Sequence, residues 1–131
     1  MQFLLDTNAW IWLFSEPRKI RREVRLLIDR ELIVGLSPMS IVEVAQKAAK
    51  ARLVFRVDVA EWVEIALPSQ RVKLLPISPT IALEAYQWPA DFHGDPADRI
   101  IAATARAHDL TLVTSDEKLL SRGDLTTLST L

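Results

Sequence analysis

The sequence contains no cysteine and only three glycines among its 131 residues. Without cysteine the chain has no disulfide, no thiolate metal site and no cysteine nucleophile, and it suits a reducing cytosol. Three glycines are too few for a glycine-rich loop that cradles phosphates, which disfavours P-loop chemistry. No apolar stretch approaches the roughly 20 residues that a membrane span requires. We therefore expect a soluble, cytoplasmic protein that does not enter a membrane.

The chain also lacks a net charge of either sign. Its 16 basic and 17 acidic residues leave a formal charge of −1 at pH 7, which provides no general attraction to nucleic acid or to anionic membranes. The charge is nevertheless unevenly distributed. Residues 1–56 contain ten Lys and Arg against six Asp and Glu, whereas residues 57–131 contain six against eleven. The small total hides a basic first half and an acidic second half.

What the chain does contain is enough apolar sequence for a sizeable core. Half of its residues are hydrophobic and a quarter are charged, which excludes a disordered or collagen-like chain. Short, continuously apolar segments alternate with amphipathic ones, and this pattern is typical of a parallel sheet covered by helices on both faces. We predict a single α/β domain over residues 1–131, with a central parallel sheet of about five strands.

The expected elements follow from hydrophobic periodicity and from helix-starting residues. Apolar runs predict strands at residues 2–5, 33–36, 72–77, 111–113 and 125–128. Amphipathic spacing predicts helices at residues 7–14, 18–31, 40–51, 59–67, 79–87, 95–107 and 117–120. Pro17 and Ser40 are taken as the start signals of the second and third helices.

Four acids occupy equivalent places in this alternation. Asp6 ends the first strand and Asp116 follows the fourth. Glu43 and Asp98 are expected in the first turns of two helices. In an open parallel sheet these positions lie at the carboxyl ends of the strands, where ligands bind. Four converging carboxylates would raise one another's pKa values. A hard divalent cation such as Mg²⁺ or Mn²⁺ would relieve that repulsion.

Each acid alone also has a purely structural explanation. Ser40-x-x-Glu43 matches a capping box, in which Glu43 bonds the amide of Ser40. Asp95 before Pro96 is a good N-cap, and Asp98 fits a stabilising position in the first helical turn. For any single acid, capping is the stronger interpretation. The repetition of an acid at nearly every such junction favours a cation site.

Four segments in a fixed order carry a family resemblance. They are LLDTN at residues 4–8 with Trp10, Ser40-x-x-Glu43, DPADRIIAATA at residues 95–105, and LVTSD at residues 112–116. The third and fourth segments together are the most specific part. In this combination the chain resembles the PIN-domain ribonucleases, specifically the VapC-type toxins of toxin–antitoxin modules. The resemblance extends from residue 4 to residue 116, which is most of the chain.

The resemblance implies a metal-dependent endoribonuclease that uses one or two Mg²⁺ or Mn²⁺ ions. Its catalytic and metal-binding acids would be Asp6, Glu43, Asp98 and Asp116. Asp95 is the first alternative to Asp98; the expected division makes Asp95 the N-cap and Asp98 the ligand. Further residues expected near the substrate or behind the ligands are Asn8, Thr114 and Arg99. Asn8 would orient Asp6.

The same resemblance implies how RNA would be cut and which molecules the protein would meet. A metal-activated water would attack the phosphodiester, with Glu43 or Asp116 orienting or deprotonating it. The products would carry 5′-phosphate and 3′-hydroxyl ends. The implied partners are an RNA substrate, a cognate antitoxin and a second copy of the chain in a homodimer.

Other candidates receive a weaker interpretation. His93, in a loop before a helix, is interpreted as incidental, with contact to the substrate as the alternative. Trp62, on a short amphipathic helix, is a candidate for a dimer or antitoxin surface. A group of arginines near the start of the second helix is expected to be a solvated face, with phosphate binding as the alternative; its members are Arg18, Arg21, Arg22 and Arg25.

Two other functions remain to be separated from a ribonuclease. A phospho-acceptor receiver domain has a similar size and also uses Mg²⁺ with carboxylates, but residues 74–79 offer no acceptor aspartate. A non-catalytic domain that only binds RNA or a protein partner would need no metal. A nuclease assay with a chelator control separates this alternative from the enzyme.

Overall fold

The computed structural model describes all residues from Met1 to Leu131. Its centre is a five-stranded sheet formed by β1 (Phe3–Leu5), β2 (Val34–Leu36), β3 (Val72–Leu74), β4 (Thr111–Thr114) and β5 (Thr127–Ser129). The strand order is β3-β2-β1-β4-β5, and every neighbouring pair is parallel. The predicted α/β class with about five parallel strands is confirmed.

Seven α-helices connect or flank the strands. They are α1 (Thr7–Ser15), α2 (Arg22–Arg30), α3 (Pro38–Ala49), α4 (Val59–Ile65), α5 (Pro79–Glu84), α6 (Pro96–Ala107) and α7 (Glu117–Leu120). Three of them begin with proline, whose fixed φ suits the first helical position. No helix has both the length and the apolar character needed to cross a lipid bilayer.

The sheet separates two hydrophobic cores, because successive side chains of a strand point to opposite faces. On β1, Phe3 and Leu5 join a core that contains Trp10 of α1 and Val24 of α2. Leu4 joins the other core, which contains residues of α5, α6 and α7. The central strands β1, β2 and β4 are therefore buried on both faces, which explains why they appear in the sequence as continuous apolar runs. The edge strands β3 and β5 are partly exposed.

The helix predicted over residues 18–31 is broken in two. Pro17–Lys19 forms a 3₁₀ turn, and α2 starts only at Arg22. Between them Ile20 is extended and buried, and the amide of Arg21 donates to the carbonyl of Thr130. Because that amide is bound outside the helix, one continuous helix cannot form.

The start predicted for the third helix is also wrong by two residues. α3 begins at Pro38, and its N-cap is Ser37, whose hydroxyl accepts from the amide of Met39 at 3.1 Å. Ser40 is therefore inside the first turn, and Glu43 lies in the second turn rather than the first. The capping box between Ser40 and Glu43 does not form. The stronger signal was a serine followed by proline, which presets the first helical position.

Trp62, predicted on a dimer or antitoxin surface, is a core residue that also lines an apolar groove. Only 5% of its surface is exposed, and its indole nitrogen donates to the Ser15 hydroxyl at 2.7 Å. Its ring stacks on Phe55 with centroids 4.2 Å apart and meets the edge of Trp10 at 4.8 Å. Such aromatic pairs stabilise a core beyond simple burial. The short helix α4 is therefore held by this cluster.

Candidate metal centre

The strand order brings five carboxylates to one cleft at the carboxyl edge of the sheet. Because β1 and β4 are neighbours, the residues that follow them, Asp6 and Asp116, lie close together. Helices α3 and α6 are packed against one another and supply the remaining acids. The cleft has a volume of about 310 Å³, and its lining is entirely polar: Asp6, Thr7, Asn8, Glu43, Lys47, Asp95, Asp98, Ser115 and Asp116.

Three of these acids also cap the helix that they precede. Oδ1 of Asp6 accepts from the amide of Ala9 at 2.7 Å. Oδ1 of Asp95 accepts from Ala97 at 2.9 Å, and Oδ1 of Asp116 accepts from Lys118 at 2.8 Å. Each cap uses one carboxylate oxygen and leaves the second. Capping and lining the cleft are therefore compatible roles of the same side chain.

Glu43 is held in the cleft by a hydroxyl pair. The Thr7 hydroxyl donates to Oε1 of Glu43 and is also hydrogen-bonded to the hydroxyl of Ser40 at 3.0 Å. Thr7 and Ser40 are both buried. The hydrogen bonds therefore join the first turns of α1 and α3 and orient one oxygen of Glu43, while Oε2 receives no hydrogen bond from the protein.

Asp98 is not a capping-box partner of Asp95; it is bound to His93. Nε2 of His93 and Oδ2 of Asp98 are 2.6 Å apart. One ligand atom each from His93, Asp98 and Asp116 can be chosen so that all three lie within 4.8 Å of one another. His93, treated as incidental in the sequence, is thus part of the cleft wall. The sequence did not predict this contact, because the path of the chain at Gly94, between His93 and the helix of Asp98, does not follow from the local pattern.

The loop that carries His93 is held by two arginines. The ring of Phe92 stacks on His93 with centroids 4.9 Å apart. Arg99 donates to the carbonyl of Phe92 at 3.1 Å, and the guanidinium of Arg122 lies 4.6 Å from the Phe92 ring. Stacking of this kind orients a ring as well as stabilising it.

Arg99, predicted near the substrate or behind the ligands, does not line the cleft and lies behind the loop that carries His93. Its guanidinium donates to the carbonyls of Ala85 and Phe92 and lies 5.2 Å from the ring of Tyr86. Neighbouring residues of a helix point about 100° apart, so Asp98 facing the cleft turns Arg99 away from it.

Burial shifts the acid–base behaviour of the cleft. Burial in the protein raises the pKa of Asp6 from 3.8 to about 6. Hydrogen bonds from Thr114 and from the amide of Ala9 oppose this rise, and the charges of Asp98 and Glu43 add to it. Removal from water penalises the charged carboxylate, and nearby like charges penalise it further.

The other two shifted acids follow the same rule. Burial is the largest cause that raises the pKa of Glu43, opposed by the Thr7 hydrogen bond and by Lys47. Burial also raises the pKa of Asp98, opposed by His93 and assisted by the charges of Asp95 and Asp116. Lys47 is the one cationic side chain in the cleft lining. The protein itself therefore leaves most of this negative charge uncompensated.

Thr114 and Asn8, the two small polar residues predicted near the acids, differ in burial: Thr114 is buried and Asn8 is exposed. Thr114 is fully buried, and its hydroxyl accepts from the amide of Asp116 at 3.0 Å. This hydrogen bond supports the backbone of Asp116. A second hydrogen bond, from the Thr114 hydroxyl to Asp6, lowers the pKa of Asp6. Asn8 lines the cleft and is exposed, but no hydrogen bond joins its side chain to Asp6.

The arginines considered for phosphate binding lie outside the cleft lining. Arg21 is 3.8 Å from Glu23, and Arg25 donates to the carbonyl of Ile20 at 3.2 Å. Arg18 and Arg22 are exposed. These local contacts agree with a solvated helix face, which was the first interpretation of the charge pattern.

Comparisons with known proteins agree on one family. The family model described as the PIN domain matches residues 3–125. Ribonuclease VapC22 from Mycobacterium tuberculosis is 32% identical over 118 residues, which are 90% of this chain and 89% of the relative.

Solved structures show the same fold. A chain of DNA-bound VapBC from Salmonella typhimurium superimposes with a TM-score of 0.75 at 17% identity, covering 100% of this chain and 99% of that one. A chain of a toxin–antitoxin complex from Klebsiella pneumoniae gives a TM-score of 0.71 at 25% identity, with coverages of 99% and 98%.

Proposed function

The chain belongs to the PIN-domain family, and on that premise we propose that it is a metal-dependent endoribonuclease, the toxin of a toxin–antitoxin pair, formed by one domain over residues 1–131. The observation that carries the proposal is the cleft lined by five carboxylates and one lysine. The 32% identical relative is named a ribonuclease, which gives the reaction class. RNA is thus the proposed substrate, and phosphodiester hydrolysis is the proposed reaction.

The residues present fit one or two divalent cations. The donors are carboxylate oxygens, which Mg²⁺ and Mn²⁺ prefer. The raised pKa values of Asp6, Glu43 and Asp98 have burial as their largest cause and mutual repulsion as another. A bound cation removes the repulsion and favours the charged carboxylates. Asp6, Asp98 and Asp116 are the proposed direct ligands, and Glu43 completes the set through the water that it orients.

The side chains around the ion divide the remaining work. When bound, the cation supplies a Lewis acid that activates water and offsets the charge of the scissile phosphate. Glu43 takes the proton of the attacking water at Oε2, because Oε1 is occupied by the Thr7 hydroxyl. Burial raises the pKa of Glu43 toward neutral pH, and a general base works best when its pKa is near the working pH. Attack of the water on phosphorus breaks the bond to the 3′ oxygen, which leaves as a 3′-hydroxyl. The phosphate stays on the 5′ oxygen of the other product.

His93 orients Asp98. The 2.6 Å hydrogen bond to Oδ2 holds that carboxylate and leaves Oδ1 for the ion. Carboxylate ligands are commonly oriented by such partners, whose loss weakens metal binding. Thr114 has the corresponding role for Asp116 through the backbone amide.

The test of this proposal is RNA cleavage with controlled metal. The purified protein is expected to cut single-stranded RNA in Mg²⁺ or Mn²⁺, to stop in EDTA, and to recover when metal is restored. Asp6→Asn keeps the helix cap, since Asn caps as well as Asp does, but loses a metal ligand. If the purified Asp6→Asn protein still cleaved RNA in Mg²⁺, the assignment would be wrong. If no RNA were cut under any metal condition, a non-catalytic binding domain would replace the enzyme.

We also propose a protein antitoxin and a second copy of the chain as partners. The structural neighbours include VapBC complexes and a toxin–antitoxin complex. An apolar groove of about 520 Å³ lies over Trp62, and its rim exposes Val54 and Ile65. Exposed apolar surface of this kind marks a protein contact, here the antitoxin. Co-expression with the product of the neighbouring gene tests the antitoxin, with Val54→Asp expected to reduce recovery, and ultracentrifugation of the chain alone tests the dimer.

A further inference from the structure

A second polar cleft adjoins the acidic one. It has a volume of about 450 Å³, within the size range of small-molecule pockets. Two elements connect the clefts. The ring of His93 lines the second cleft, while its Nε2 bonds to Asp98 of the first. Helix α7 has its cap Asp116 in the first cleft and Lys118 in the second.

The charges of the second cleft differ from those of the first. Arg122 is 2.7 Å from Asp124 and 3.6 Å from Asp91, so these charges offset one another. Lys118 is exposed and forms no ion pair within 4.0 Å. It therefore provides a free cation only two residues after Asp116. Apart from Pro89 and Gly123, every residue that lines this cleft has a polar or charged side chain.

We propose that this cleft binds the nucleotide next to the scissile phosphate, with Lys118 contacting a flanking backbone phosphate. The inference rests on the proposed ribonuclease function. An RNA strand is longer than the acidic cleft, so its neighbouring nucleotides must lie on adjoining surface. The second cleft adjoins it, and Lys118 supplies donors for phosphate oxygens. The Ser121 hydroxyl donates to the carbonyl of Lys118 at 3.2 Å, and its oxygen can accept from a sugar hydroxyl.

Two other occupants fit this cleft less well. A divalent cation would need free carboxylates, but Asp91 and Asp124 are already paired with Arg122. A protein partner would be expected to bury large apolar or aromatic groups at the centre of the contact, and this lining offers only Pro89 and the ring of His93. A hydrated, charged polymer is the ligand class that matches a polar wall with one free lysine.

The first experiment measures RNA binding without cleavage. Fluorescence anisotropy of a labelled single-stranded RNA of random sequence is followed against salt concentration, with every protein carrying Asp6→Asn. Lys118→Ala is expected to weaken binding and to lower the salt slope by about 0.7, the value for one phosphate contact on a single strand. Lys118→Arg keeps the charge and should keep the slope. Lys73→Ala, an exposed lysine on the edge strand β3, is the matched control.

The second experiment maps cleavage sites. Total RNA is cut in Mg²⁺ by the otherwise wild-type chain and by its Lys118→Ala and Ser121→Ala variants, and the ends are sequenced. A changed nucleotide preference at one position beside the cut, with unchanged Mn²⁺ affinity by calorimetry, supports the subsite.

An unchanged salt slope in Lys118→Ala would overturn the proposal, and so would an equal loss in Lys73→Ala. Because the binding assay needs no cleavage, failure of the nuclease assay would instead reject the proposed function.

Discussion

Two adjacent groups of acids in this protein have opposite electrostatic situations. In the acidic cleft, burial raises the pKa values of Asp6, Glu43 and Asp98, and the only cationic side chain there is Lys47. Beside it, a hydrogen bond from Arg122 lowers the pKa of Asp124. In the second group a guanidinium pairs with the carboxylates. In the acidic cleft a single lysine faces five carboxylates and leaves most of their charge uncompensated.

The difference indicates what each group is for. The Arg122 group stabilises the fold, because its charges are paired and its guanidinium lies over the rings of Trp88 and Phe92. The acidic cleft opposes folding in the absence of a cation, since like charges are held together in a partly buried place. Uncompensated repulsion at one edge of the sheet supports the metal site proposed above.

The largest expected effect separates the acids within the cleft. Asp98→Asn should reduce RNA cleavage by about 10³-fold or more, equivalent to about 4 kcal/mol of transition-state stabilisation, because a ligand oxygen becomes a neutral amide. Asp95→Asn should lose far less, because Asn preserves the helix cap. Initial rates in Mg²⁺ measure both, with Asp29→Asn on α2 as the control. Equal losses at positions 95 and 98 would show that Asp95 also binds the metal.

The next effect concerns His93 and the metal. His93→Ala should weaken Mn²⁺ binding by about 10- to 100-fold, the usual consequence of removing a partner that orients a ligand. His93→Gln can still donate to Asp98 and should recover part of the affinity. Isothermal titration calorimetry gives both values without a cleavage assay. If alanine and glutamine bound Mn²⁺ as tightly as the unmodified chain, His93 would have no positioning role.

A third prediction compares the pH dependence of the two groups. The pKa of Asp6 is about 6 in the folded protein and 3.8 in the unfolded chain. Between these two pH values the folded state binds more protons than the unfolded state, so the free energy of unfolding falls as pH rises from about 4 to about 6. In EDTA, Asp6→Asn should therefore exceed the unmodified chain in stability, by an amount that grows from pH 4 to 7. The limit is on the order of 3 kcal/mol, from about 1.4 kcal/mol per pKa unit.

Replacing Asp124 should change the pH dependence of stability in the direction opposite to that expected for Asp6. Its pKa is lowered, so it contributes stability above its unfolded pKa of 3.8 and loses it as pH falls further. Asp124→Asn should be less stable than the unmodified chain at neutral pH, with the gap closing in acid. Urea denaturation across pH measures both variants. Mg²⁺ should stabilise the unmodified chain and reverse the advantage of Asp6→Asn. A gap for Asp6→Asn that did not vary with pH would contradict the raised pKa.

The sequence predicted the sheet and its acids because both depend on local patterns. Continuous apolar runs marked the buried strands, and an acid directly after a strand marked Asp6 and Asp116. The broken helix before α2 could not be predicted, because it depends on a hydrogen bond between Arg21 and Thr130, which are far apart in the chain. Tertiary contacts override local propensity in such places.

The same reasoning explains where the sequence could not place site residues. The motif pointed to Asp98, but the role of His93 depends on a loop whose path is set by Phe92, Arg99 and Arg122. The motif left open whether Arg99 lies near the substrate or behind the ligands, and the angle between helix neighbours turns it toward the loop that carries His93. The apolar face of the helix that carries Trp62 did not reveal how much of that residue packs inside the chain and how much lines a groove.

The smallest expected effect tests the stabilised side of the comparison. Arg122→Lys keeps the positive charge but loses the two parallel hydrogen bonds to Asp124, at 2.7 and 2.8 Å, and the flat stacking on Phe92. A lysine ammonium cannot reproduce that planar fork. Hydrogen bonds to charged groups contribute roughly 1.5–3 kcal/mol, and solvent at the partly exposed Asp124 reduces this. We therefore expect a loss of about 1–2 kcal/mol in the free energy of unfolding.

The outcome of Arg122→Lys distinguishes charge from geometry. Urea denaturation at pH 7 in EDTA, compared with Arg30→Lys on the exposed end of α2, isolates the effect of the pairing. If Arg122→Lys were as stable as the Arg30→Lys control, a simple positive charge would be enough to compensate Asp91 and Asp124. The two groups of acids would then differ only in having or lacking a nearby cation. A measurable loss shows instead that the second group is stabilised by the shape of the guanidinium, which no spherical metal ion reproduces.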